Sequence, residues 1–184
     1  MPTDSLGNAV TLQQASSLPA LNDFVEGVIA CEARCVNVFQ VAATDHSAIV
    51  QACCAALQLF GESKSASNAA APFLHRAQAA LAADTQVSQR ERRFVAAIAA
   101  WAAGDITRAH QLHSEQAEAF PRDLVSLKIG QYHCFNQGDS PLCCGWRWQR
   151  KPRRPMYLTF TACWLSAMNS ATSSTWQKQR PDAA

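Results

Sequence analysis

Two Gly-Asp pairs, Gly104-Asp105 and Gly138-Asp139, stand 34 residues apart, and this spacing constrains the fold more than any other feature of the chain. A glycine followed by a helix-capping aspartate marks the end of one helix and the start of the next. Counting Arg90 as the first position of a 34-residue unit puts Ala97 at the eighth position, Ala109 at the twentieth and Pro121 at the thirty-second. Small residues at the eighth and twentieth positions let two helices approach closely, and the proline ends the second helix. The large residues usual at the fourth and eleventh positions are replaced by Arg93 and Ala100, and the following unit carries Gln131 at its eighth.

Helical runs joined by short turns account for residues 1–140. "SLPALNDFVEGVIACEARCVNVF" is apolar-periodic from Leu18 to Phe39, with an interruption expected near Cys35. The next run starts at Asp45 or Ser47 and ends at Gly61, read as the glycine just past a helix end. "SNAAAPFLHRAQAALAAD" predicts a helix capped by Asn68 with Pro72 in its first turn. Further runs extend from Ser88 to Gly104, from Asp105 to Pro121, and from Asp123 to Gly138, six or seven helices in all. No segment alternates as a strand does, so the expected class is all-α.

A 34-residue period of helical pairs is that of the tetratricopeptide repeat. The stretch "SQRERRFVAAIAAWAAGDITRAHQLHSEQAEAFPRDLVSLKIGQYHCFNQGD" resembles the core segment of the tetratricopeptide repeat protein 38 family. "ALNDFVEGVIACEARCVNVFQVAATDHSAIVQACCAALQLFGES" is similar to that family's N-terminal helices. The resemblance covers roughly residues 12–140. It implies a right-handed α-solenoid longer than this chain, a non-enzymatic scaffold, and no catalytic residues to carry over.

In that register the fifth, ninth, twelfth and thirteenth positions of each first helix face a concave groove. Here they are Phe94, Ile98, Trp101 and Ala102, then Lys128, Tyr132, Phe135 and Asn136. Phe94, Ile98, Trp101, Lys128, Tyr132 and Asn136 are therefore the candidate residues for binding a protein or peptide. A clamp for a peptide's terminal carboxylate would want Lys and Asn in the first unit, and Phe94 and Ile98 argue against one.

Composition changes abruptly after Ser140. Residues 1–140 hold nine Lys/Arg against thirteen Asp/Glu, whereas residues 141–184 hold seven against one, with four of the five tryptophans. "CCGWRWQRKPRRP" does not continue the array. A shift of reading frame accounts for it: suitable codons for residues 143 onward, each read from its third base, yield an alanine-rich string with helical period. Residues 141–184 are accordingly expected to be a disordered tail outside the fold, with Trp164 and Leu165 unpacked. The array is then truncated, and Leu124, Leu127, Tyr132 and Phe135 would expose an apolar end that favours self-association. The alternatives are a nucleic-acid-binding arm, with Arg/Lys on phosphates and Trp on bases, and an ordinary solvated tail.

Reactive chemistry is sparse. His110 and His113, three apart on one helix, have metal-ligand spacing without a completing partner, and Cys31, Cys35, Cys53 and Cys54 lack paired C-x-x-C units. No metal and no cofactor are expected. Cys31, Cys53, Cys54 and Cys134 read as small apolar residues on buried helix faces. A cryptic hydrolase or thiol enzyme would have to use His110, His113 or the neighbours His133 and Cys134, which diverge on a helix. "RERR" at 90–93 reads as a solvated helix start. No secretory signal and no apolar run of membrane-spanning length are present, and with unpaired thiols the expected location is the cytoplasm.

Overall fold

The computed structural model describes residues 1–138, so the expectations for residues 141–184, among them Trp164 and Leu165, lie outside the described residues. Six α-helices run in chain order: α1 (Leu18–Ala30), α2 (Ala48–Phe60), α3 (Ala66–Ala83), α4 (Gln89–Ala102), α5 (Ile106–Ala119) and α6 (Leu124–Asn136). A 3-10 segment, Ala33–Val41, follows α1. Among the described residues the only β pairing is an isolated bridge between Thr3 and Ala9. The all-α expectation holds for the described residues.

Local capping chemistry explains the starts of α4, α5 and α6. Ser88 and Glu91 form a reciprocal capping box at the start of α4, and Asp105 and Asp123 accept from the backbone N–H of Arg108 and Ser126 to start α5 and α6. Gly104 and Gly138 take left-handed backbone after α4 and α6. Three boundaries differ from the sequence reading. The first run breaks at Cys31, not Cys35, because Cys31 itself turns left-handed, at φ 60°, to close α1. Gly61 stays right-handed at φ −66°, and the left-handed residue is Glu62. Ser65, not Asn68, precedes α3, so Pro72 lies inside the helix rather than in its first turn.

Neighbouring helices pair in sequence: α2 lies along α3, α4 along α5, and α5 along α6, while α4 also touches both α2 and α3. Ala97 and Ala109, the small residues of the α4–α5 pair, are fully buried. α2 is the most enclosed element, covered by the 3-10 segment, α3 and α4, with only Gln58 partly exposed. α1 folds back on the 3-10 segment and also reaches α6. That return is possible because residue 27 is glycine: a Cβ there would lie 2.6 Å from the backbone N of Cys35.

Gly27→Ala is thus expected to destabilise the chain by about 1–3 kcal/mol through overpacking against backbone. Gly104→Ala, with nothing within 4 Å of the new methyl but φ +80°, should cost only about 1 kcal/mol. Urea unfolding of both variants measures the difference, and equal midpoints would contradict the close approach at Gly27.

Candidate binding groove

The faces of α2, α4 and α6 that look toward the N-terminus form one trough, and the chain's own residues 2–31 lie in it. Leu21, Phe24 and Val25 of α1, with Leu6 and Val10 before it, meet Ile49 and Cys53 of α2, Phe94 of α4 and Val125 of α6. The void left among them is about 20 Å³, room for one water at most.

Two kinds of contact hold this N-terminal stretch. α1 is held by apolar burial, for Leu21, Phe24 and Val28 are each at most 2% exposed. Residues 2–12 bury Val10 and are held besides by hydrogen bonds from main chain and side chains. Arg90 donates from Nη2 to Ala9 O at 3.2 Å, and the Glu91 carboxylate accepts from Thr11 N at 2.7 Å and Thr11 Oγ1 at 2.9 Å. Asn8 Nδ2 donates to Arg122 O at 3.4 Å. Asp4 preshapes the loop by accepting from Leu6 N and Asn8 N through one carboxylate oxygen. Beneath it, Arg90 pairs with Asp123 at 3.2 Å, and Gln116 donates to the same carboxylate oxygen at 2.9 Å.

This overturns the reading of "RERR" as a solvated helix start. Arg90 and Glu91 are buried, Arg92 donates to Leu81 O, Asp84 O and Val87 O, and Arg93 reaches Glu115 O. The arginines therefore satisfy carbonyls of neighbouring segments instead of facing water. Sequence reasoning missed Arg90, Glu91 and Asp123 as site residues. The one available signal was the Ser88-x-x-Glu91 capping box, which ties a carboxylate to the head of α4.

The six candidate groove residues divide. Phe94, Ile98, Trp101 and Lys128 are buried, which corrects their expected place on an open concave face: α1 and the aromatic residues of α2 and α6 cover them. Lys128 donates from Nζ to Ile29 O in the last turn of α1, where a cation complements the helix dipole. Tyr132 and Asn136 do come together, on the carboxylate of Glu62, and the Tyr132 ring meets Phe60 edge-on at 5.3 Å. Burial and the Glu62 carboxylate raise the Tyr132 phenol above its ordinary range. Leu124, Leu127 and Tyr132 are half-buried at this end, and Phe135 is 53% exposed.

Among the described residues, only one pair resembles a catalytic arrangement. His113 Nδ1 lies 2.6 Å from Ser126 Oγ, both fully buried. The His113 Nε2 atom is buried without a hydrogen-bond partner. A proton on Nδ1 leaves a bare lone pair at Nε2 rather than an orphaned N–H, the smaller penalty, and then His113 donates to the serine instead of deprotonating it. No substrate reaches the pair. His133 stacks edge-on against Trp101 at 4.8 Å and lies 5.7 Å from the His113 ring. Cys134 is buried as well. Among the described residues, no three His, Cys, Asp or Glu side chains converge on a point that could hold a metal. No described helix is long and apolar enough to cross a membrane.

Of the cysteines expected on buried faces, Cys53, Cys54 and Cys134 are there, and Cys31 is not: it is half-exposed, 3.2 Å from Lys128 Nζ. Comparison with protein-family models, curated proteins and solved structures finds no match to this chain.

Two measurements follow from these environments. Burial, with the neighbouring His133 and His110, holds His113 well below its ordinary pKa, and burial with His110 takes His133 to about 4. Unfolded histidine titrates near 6.5, so the stability these residues contribute is present above that pH and is lost as pH falls toward 4. Urea unfolding should lose roughly 2 kcal/mol per histidine between pH 7 and pH 5, and about half of that loss should vanish in His133→Phe. Burial also raises Cys35 to about 11 and Cys54 to about 12, and Cys53 well above its ordinary value. A short iodoacetamide pulse mapped by mass spectrometry should modify Cys31 at least tenfold faster than Cys53 or Cys54, since the thiolate is the reactive form. Equal rates would contradict the burial of the adjacent pair.

Proposed function

We propose that the chain is a non-enzymatic interaction module, a right-handed array of tetratricopeptide-like helical hairpins akin to the tetratricopeptide repeat protein 38 family. Its groove binds an extended segment of a protein partner. The sequential pairing of α2 with α3 and α4 with α5, with α6 opening a further unit, supports the array. So does the 34-residue Gly-Asp spacing. A scaffold of this kind working in the cytoplasm keeps its thiols reduced.

The observation that carries the binding reading is the main-chain recognition of residues 9–11 by Arg90 and Glu91. Side chains that hydrogen-bond a visiting backbone hold an extended peptide with little regard to its sequence, while neighbouring pockets select side chains. Magnitudes decide which part of the N-terminal stretch a partner replaces. Freeing Leu21, Phe24, Val25 and Val28 would cost on the order of 1.5–3 kcal/mol for each side chain. Residues 2–12 bury Val10 fully and Leu6 and Leu12 only in part, and are otherwise held by hydrogen bonds worth about 1 kcal/mol each, somewhat more where Arg90 or Glu91 is charged. Residues 2–12 are the exchangeable occupant and α1 the permanent floor. In this reading the N-terminal segment stands in for the partner.

A synthetic peptide of residues 1–14 tests this against a chain lacking those residues. Saturable binding by fluorescence anisotropy is expected, weakened about tenfold when the peptide carries Thr11→Val and loses its hydroxyl contact to the Glu91 carboxylate. A folded, shortened chain that ignores the peptide would sink the reading. So would collapse of the shortened chain, because the segment would then belong to the core.

A further inference from the structure

A second concavity shares no lining residue with the groove. It is a surface cleft of about 490 Å³ between the 3-10 segment, α2 and α3, lined by Phe39, Ala42, His46, Gln58, Phe73 and Arg76. That volume is within the range of small-ligand sites.

Arg76 organises it. Its Nε donates to Gln51 Oε1 at 2.7 Å. Gln51 is fully buried, and its amide nitrogen donates to Ala42 O at 2.8 Å and Asp45 O at 2.7 Å, which fixes the amide oxygen toward the guanidinium. The guanidinium carbon sits 4.8 Å from the Phe73 ring centroid. Phe73 in turn lies 5.8 Å from Phe39, ring to ring, tilted by 53°. Arg76 is thus clamped at Nε and along one face of its plane.

Its two terminal nitrogens are different. The Nη groups make no hydrogen bond among the described residues, and no described carboxylate forms an ion pair with Arg76. Ordering a long, half-buried cation costs side-chain entropy and some hydration, and here no counter-ion offsets it. A guanidinium fixed at Nε presents its remaining N–H groups in the fork that a carboxylate accepts two at a time.

We propose that this cleft binds a carboxylate carried on an apolar body. The Arg76 Nη groups take the two carboxylate oxygens, and the rings of Phe39 and Phe73 flank the apolar part. One fixed cation between aromatic walls suits a monoanion better than a phosphate dianion, whose charge and three oxygens ask for several donors. The same chemistry occurs in a free small acid and at the carboxy-terminal residue of a peptide. The site does not depend on the groove: it could hold while the groove reading fails.

The test titrates the full 184-residue chain with 3-phenylpropionate and with 3-phenylpropionamide, followed by calorimetry. The acid should saturate, and the amide should bind at least tenfold more weakly. Arg76→Gln should reduce affinity for the acid at least tenfold, with some loss of thermal stability from the buried Gln51 amide oxygen it leaves unpaired, and Arg76→Lys should recover only part of the affinity, because an ammonium cannot fork. N-acetyl-glycyl-phenylalanine with a free carboxylate separates the two sources. Tenfold tighter binding than the simple acid identifies a peptide terminus, and equal or weaker binding identifies a free acid. Equal affinity for acid and amide overturns the proposal, as does full affinity in Arg76→Gln or displacement of the acid by equimolar inorganic phosphate. If Arg76→Gln does not fold, the acid–amide comparison on the unaltered chain decides alone.

Discussion

The rest of the described fold depends on one buried ion pair, Arg90 with Asp123, whose side chains are only 8% and 3% exposed. Taking both charges out of water is unfavourable unless every remaining donor and acceptor is satisfied. Here the carboxylate is fully engaged, and one acceptor of the cluster, the buried Gln116 Oε1, is left without a hydrogen-bond partner. Asp123 accepts from Arg90 and Gln116 on one oxygen and from Ser126 N on the other, so the group that caps α6 is also the counter-ion of α4. Gln116 spends its amide nitrogen twice, on Asp123 and on Arg90 O. Three consecutive helices are thereby locked in register at one point. Losing one partner from such a pair costs about 3–5 kcal/mol, more than a surface salt bridge ever contributes.

The same pair explains why the N-terminal segment has a place to lie. Because Arg90 is pinned by Asp123, its second terminal nitrogen is aimed at Ala9 O, and Glu91, fixed by the capping box with Ser88, faces Thr11. Donor and acceptor stand on adjacent residues of one helix and address backbone groups two residues apart. An extended strand offers that spacing, and a helix, whose backbone groups are consumed internally, does not. On the proposed reading, this spacing makes the head of α4 favour an extended occupant, with Val10 adding apolar burial beside it.

Features governed by neighbours in sequence were legible, and those governed by neighbours in space were not. Ser88, Asp105, Asp123, Gly104 and Gly138 could be placed because a cap or a left-handed glycine acts within three or four residues. Gly61 misled because its neighbour Glu62 takes the strained backbone, at a position where its carboxylate meets Tyr132 from α6, 70 residues away. The arginines of α4 looked solvated because charged residues in a first turn usually are, and their carbonyl partners lie on α3, α5 and the N-terminal segment. Lys128 looked like a recognition residue for the same reason, and its partner Ile29 is 99 residues distant. For the candidate site, the helix that carries it was readable and the identity of its polar residues was not.

That asymmetry bears on how the groove positions should be understood. In the register of the proposed array, Phe94 and Ile98 are large and apolar at positions where a peptide-binding groove would favour polar side chains. An open groove would leave them in water. Once α1 is laid across α2, α4 and α6, they become ordinary core, and the void of about 20 Å³ left beside Phe94 shows how closely the covering fits. The polar residues that address a backbone have moved to the head of α4, one turn before Phe94, where burial by α1 ends and only residues 2–12 cover the trough. On the proposed reading, the chain has turned most of its inner surface into core and kept for exchange the short stretch where hydrogen bonds and one fully buried side chain, Val10, hold the occupant.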